Sequence, residues 1–188
     1  MVDLLQLLLT SPRTGVLAGV LVVAATIDVR SGRIPNWLVF AGAIYAVSYN
    51  SLFPEYVRDN GTLFALGGLA VGLAAFLPAY LFRVLGAGDV KLMAMVGAFL
   101  GTRATVGAVL AVLVAGGVLA VGFAVKAGGL TAMLRNVAAM FRGAHLTLAT
   151  GVGGLVMQAT PSTGRMPYGL AIAIGTIGYL VLEQLGVI

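Results

Sequence analysis

Gly86-Ala87-Gly88-Asp89-Val90-Lys91 sets a carboxylate between two apolar runs, residues 63–85 before it and 90–100 after it. The first run is long enough to cross roughly 30 Å of hydrocarbon at about 1.5 Å per helical residue. An Asp near the bilayer centre costs roughly 2.5 to 3.5 kcal/mol, so an ionisable group in such a setting marks a functional site. Gly86 and Gly88 lack a Cβ and let another backbone come close, as a site handling an extended peptide requires. The structural alternative is an Asp that caps a helix starting at Val90.

Composition agrees with the membrane reading of those runs. Hydrophobic residues make up 60% of the 188 and charged residues 9%, against about 25% charged in soluble domains, and the mean hydropathy is +1.06. A net charge of +5 would suggest nucleic acid in a soluble protein. In a membrane protein it serves topology, because Lys and Arg gather in cytoplasmic loops. The expected partner is therefore the lipid bilayer, and no nucleic acid is expected. The chain has no cysteine, which excludes disulfides, thiolate nucleophiles and zinc-thiolate sites. His145 has no partner at a metal-ligand spacing, so no metal and no cofactor are expected.

Working outward, six runs read as spans: residues 12–28, 37–53, 63–85, 90–100, 106–125 and 168–185. Ser11 and Pro12 mark the start of the first. No small-residue cleavage site follows it, so it reads as a retained helix rather than a signal peptide. Pro35 is placed to start the second helix, and Thr102-Arg103 turns the chain between the fourth and fifth. Between the fifth and sixth, Leu130, Met133, Leu134, Val137, Met140 and Phe141 recur at helical spacing beside Arg135 and Arg142, the pattern of a helix lying in the membrane interface. The expected fold is an all-α membrane protein, a six-transmembrane-helix bundle with an interfacial helix between helices five and six, forming one domain over residues 1–188.

With both termini outside, the inner side collects Arg30, Arg33, Arg83, Lys91, Lys126, Arg135, Arg142 and Arg165, leaving Arg13, Arg58 and Arg103 outside. This positive-inside bias brings Asp28, ending the first span, and Asp89, opening the fourth, to one cytoplasmic level. Two close carboxyls cannot both ionise cheaply, so the pair holds a base and an acid together. That combination suits peptide hydrolysis: one member takes a proton from water and the other donates to the developing oxyanion.

These residues also carry a family resemblance. Asp28-Val29-Arg30-Ser31-Gly32-Arg33-Ile34-Pro35-Asn36 resembles the first aspartate motif of type IV prepilin peptidases, and Gly86 to Leu92 resembles their second, the GxGD signature. Met166-Pro167-Tyr168-Gly169-Leu170-Ala171-Ile172-Ala173 is similar to the start of their last helix. The resemblance implies an intramembrane-type aspartic endopeptidase with Asp28 and Asp89 as its catalytic pair. Its substrate would be a prepilin or pseudopilin whose basic leader ends in glycine before a hydrophobic helix, cut at the cytoplasmic face of the inner membrane. Longer members carry paired CxxC motifs between the first two helices. Here a short loop occupies that place, so the chain is closer to the short forms of Tad, Flp or archaeal-type pilus systems.

Around that pair, Gly86, Gly88, Lys91, Arg33, Pro35, Asn36 and Pro167 are the supporting candidates. Lys91 lies two residues from Asp89, off its helical face, and meets lipid phosphate or the loop rather than the carboxylate. A small polytopic transporter with buried carboxylates is the alternative, but its substrate path would lie at mid-membrane depth, whereas both acids fall at one edge.

Overall fold

The computed structural model describes residues 12–53, 60–81, 84–126, 128–129, 131, 135, 138 and 167–187. Among the described residues the main elements are five helices and there is no strand: α1 Pro12–Ser31, α2 Asn36–Leu52, α3 Gly61–Leu81, α4 Ala87–Lys126 and α5 Tyr168–Gln184. Helices α1, α3 and α4 are long and apolar enough to cross a membrane, and α5 is a shorter apolar helix. In hydrocarbon each backbone group needs an internal partner, which favours helices for a chain of this composition. Val22, Leu63, Leu110 and Val114 are large, apolar and exposed, as a lipid-facing surface requires.

Five helices stand where six spans were expected, and the difference lies in α4. The fourth and fifth runs are its two arms, broken at the single residue Gly101, whose backbone is non-helical at φ 77 and ψ 173. Only glycine adopts this left-handed geometry without penalty, and a Cβ there would strike the Phe64 ring. The chain therefore turns one residue before Thr102, without a loop. The expected interfacial helix falls in residues that, apart from 128–129, 131, 135 and 138, lie outside those described.

The first arm of α4 is the centre of the bundle, with residues 92–100 all buried. Its uniformly small or apolar sequence follows from being covered all round. Against α3 the backbones touch. A Cβ on Gly68 would meet the Gly97 carbonyl, a Cβ on Gly97 would meet that of Gly68, and Gly72 sits on the Met93 carbonyl. Small residues permit this close approach, which supplies packing where no hydrophobic effect drives helices together.

The break at Gly101 disturbs the helical ladder, and side chains meet carbonyls of the turns around it. Thr105 Oγ1 donates to the Gly101 carbonyl. Asn50, fully buried at the end of α2, donates to the carbonyls of Ala98 at 3.1 Å and Ala46 at 2.9 Å. Its own Oδ1 accepts from Arg13 Nη1 at 3.1 Å, so α1, α2 and α4 are tied by one satisfied polar node.

The chain forms two compact units, residues 1–116 with 167–188 and residues 117–166. The first contains α1, α2, α3, most of α4 and α5. The described part of the second continues α4 to Lys126.

Candidate active site

Asp28 sits in the last turns of α1 on its buried face, in line with Leu17, Leu21 and Ala24, and is 7% exposed. The helix stops just beyond it. Gly32, at φ 62, donates its amide to the Asp28 carbonyl at 2.7 Å, a left-handed glycine closure that satisfies a terminal carbonyl. Ser31 Oγ meets the carbonyls of Ile27 and Arg33 at 2.8 and 3.1 Å. The loop after the carboxylate is thus held by its own hydrogen bonds.

The carboxylate is fixed from across the chain. Asp28 Oδ2 accepts from the Gly169 amide at 2.8 Å. Pro167 is the N-cap of α5 and Tyr168 its first residue, so this amide is one of the free donors of a helix N-terminus, where an anion is favoured. A Cβ at Gly169 would lie 2.8 Å from that same oxygen. Glycine is what lets the helix end close on the acid.

Asp89 is held differently. Helix α4 begins at Ala87, three residues earlier than the expected Val90. Asp89 therefore stands at the third helical position, and its Oδ2 accepts from the Gly86 amide at 3.0 Å. An acid that reaches back to the residue before the helix is half of a capping box. The capping role foreseen for Asp89 is thus present in altered form, and it uses one carboxylate oxygen. Asp89 is partly exposed. Tyr168, the residue before Gly169, meets Phe76 edge-on with its ring at 6.0 Å.

The supporting candidates gather at the same end of the bundle. Ile34 packs on Gly88, where a Cβ would stand 3.3 Å from the isoleucine. Pro35 is the N-cap of α2 and Asn36 its first residue. Lys91 Nζ donates to Asn36 Oδ1 at 3.1 Å and lies 5.9 Å from the Phe40 ring centre. Arg33 is exposed, and the partner described for Asp28 is the Gly169 amide. Gly169, Tyr168 and Ile34 are not singled out by the sequence as site candidates; the signals available are the Pro167-Tyr168-Gly169 tripeptide and, for Ile34, its place between Asp28 and Asn36. Among the described residues no group of three His, Cys, Asp or Glu is placed to hold a metal ion.

A groove between α1 and α5 is lined by Val22, Thr26, Val29, Arg30, Leu170 and Ile174 among others. Most of its α1 residues are exposed, and Asp28, on the buried face of that helix, does not line it.

A sequence model of the type IV leader peptidase family matches residues 15–121, more than half of the chain and a stretch that includes both Asp28 and Asp89. No curated protein and no solved structure matches the chain.

Proposed function

Because the chain belongs to the type IV leader peptidase family, we propose that this membrane peptidase is an aspartic endopeptidase acting through Asp28 and Asp89. Its substrate is a prepilin or pseudopilin, and the bond cut joins the basic leader to the hydrophobic helix at the cytoplasmic face of the inner membrane. The ionised carboxyl removes a proton from water as the oxygen attacks the scissile carbonyl carbon. The protonated one donates to the carbonyl oxygen. On collapse of the tetrahedral intermediate a hydroxyl returns its proton to the second carboxyl as the C=O bond re-forms, the C–N bond breaks, and the amine leaves with the proton held by the first carboxyl.

The observation that carries this reading is that two acids on different helices, each held by one backbone amide, belong to segments that meet: Ile34, six residues past Asp28, packs on Gly88, the neighbour of Asp89. A fixed carboxylate needs no reorganisation when water attacks. Gly86 leaves room for the Asp89 carboxylate beside it and Gly88 for Ile34, while Pro35 and Pro167 are the N-caps of the helices that start beside the pair. Family membership leaves the transporter reading without an observation of its own.

The direct test is to incubate the purified protein with a detergent-solubilised prepilin encoded in the same genome and map the cut by mass spectrometry. A single cut after the leader glycine, just before the hydrophobic helix, is expected. An uncut prepilin, or cleavage elsewhere, contradicts the reading.

A further inference from the structure

We propose that Lys91 and Asn36 form a clamp that sets the separation of the two carboxylates. This positioning role rests on the aspartic reading above. Each acid is anchored to a different part of the bundle: Asp28 to the start of α5 through the Gly169 amide, Asp89 to the start of its own helix through the Gly86 amide. The first arm of α4 is in turn pressed backbone to backbone against α3. Neither amide bond reaches from one carboxylate's support to the other's.

α5 packs on the second arm of α4, where Gly175 sits on Val112 and Gly107 on Tyr179, and at the level of the acids the supports are bridged by the segment that follows Asp28. It leaves α1 through the Gly32 turn, lays Ile34 on Gly88 and enters α2 at Asn36. There Lys91 Nζ donates to Asn36 Oδ1 at 3.1 Å, joining residues 55 positions apart. One turn further along α2, the Phe40 ring stands 5.9 Å from the same ammonium. Residues four apart share a helix face, so α2 grips the ammonium with a hydrogen bond and a cation–π contact together. Lys91 is two residues beyond Asp89, on a different side of the helix. It acts on that carboxylate only through the backbone, which makes Lys91 and Asn36 positioning residues rather than catalytic ones. The competing role for Lys91 is a topological charge, and that role makes no use of Asn36.

The test measures kcat and KM for cleavage of a prepilin segment, a basic leader plus hydrophobic helix, in detergent micelles. Asn36→Ala and Lys91→Met should each lower kcat about 10- to 100-fold with KM within about twofold, the size of effect a misplacement near 1 Å produces. The double variant should be no worse than the poorer single one, because both remove the same contact. Lys91→Arg should restore most of kcat. Wild-type kcat in Asn36→Ala, or single effects that multiply in the double variant, overturns the clamp. Should Lys91→Met fail to fold, Asn36→Ala decides alone, since it leaves the charge of the chain unchanged. Asp28→Asn is run in parallel. If it cleaves, the aspartic reading falls and the clamp with it; if it is inactive while Asn36→Ala keeps full kcat, the clamp alone falls.

Discussion

The Gly169 amide lies 2.8 Å from Asp28 Oδ2, joining the start of the last helix to the end of the first across 141 positions. The contact requires both partners as they are. The acid supplies the acceptor, and the missing side chain at Gly169 supplies the space.

Gly169→Ala places a methyl group 2.8 Å from the carboxylate oxygen it now holds, closer than a Cβ can stand. Either Asp28 or the start of α5 must move. The expected outcome is a fall in kcat of roughly 10- to 100-fold, read in the cleavage assay, with KM little changed. Wild-type kcat would show that this contact does not position the acid.

Gly68→Ala tests the packing of α3 on the first arm of α4. The new Cβ would meet the Gly97 carbonyl, whereas a Cβ at Gly19 meets nothing within 4 Å. Overpacking of this kind costs roughly 1 to 3 kcal/mol, so Gly68→Ala should lower the unfolding temperature in detergent. Gly19→Ala should leave it unchanged or raise it slightly, alanine being the better helix former by about 1 kcal/mol.

Asn50→Leu keeps the branching of the side chain but takes a donor from the Ala98 carbonyl and an acceptor from Arg13. Leaving buried polar groups unpaired costs roughly 1 to 3 kcal/mol, measurable as a shift in denaturant midpoint. Adding Arg13→Met to Asn50→Leu should cost less than the sum of the two single changes, because both act on one node.

How far the sequence reveals this arrangement depends on the range of each contact. The prolines announce local events: Pro12 opens α1, Pro35 is the N-cap of α2 and Pro167 that of α5. The turn between the fourth and fifth runs was legible to within a residue, since Thr102-Arg103 interrupts the apolar pattern; its placement on Gly101 follows from a backbone geometry that composition does not express. The start of α4 at Ala87 departs from the expected Val90 for a related reason. Asp89 looks like a cap for a helix at Val90, and only the reach of its side chain back to Gly86 shows the helix already under way at Ala87. The partners of the site residues were not legible at all. Nothing local tells that Lys91 meets Asn36, or that Gly169 is glycine because Asp28 occupies the space.

Orientation can be measured with single cysteines in this cysteine-free chain. Ser31 and Asn60 are both exposed and lie beyond opposite ends of α2, Ser31 before its start and Asn60 after its end. A Ser31→Cys variant should react with a membrane-impermeant maleimide only once the cytoplasmic side is opened, and Asn60→Cys should react from outside. The reverse pattern would put the two acids on the outer face and end the proposal of a cytoplasmic site.

Under the proposed mechanism Asp28 and Asp89 act as one catalytic unit. This is tested by cleavage of the prepilin by Asp28→Asn, Asp89→Asn and the double variant, each purified in folded form, with products identified by mass spectrometry. Asn keeps the size and removes the acid-base function. Each single change should cost roughly 10² to 10⁴-fold, and the double variant should be hardly worse than either, as expected of residues that work together. Normal cleavage at the same bond by either single variant would contradict the account.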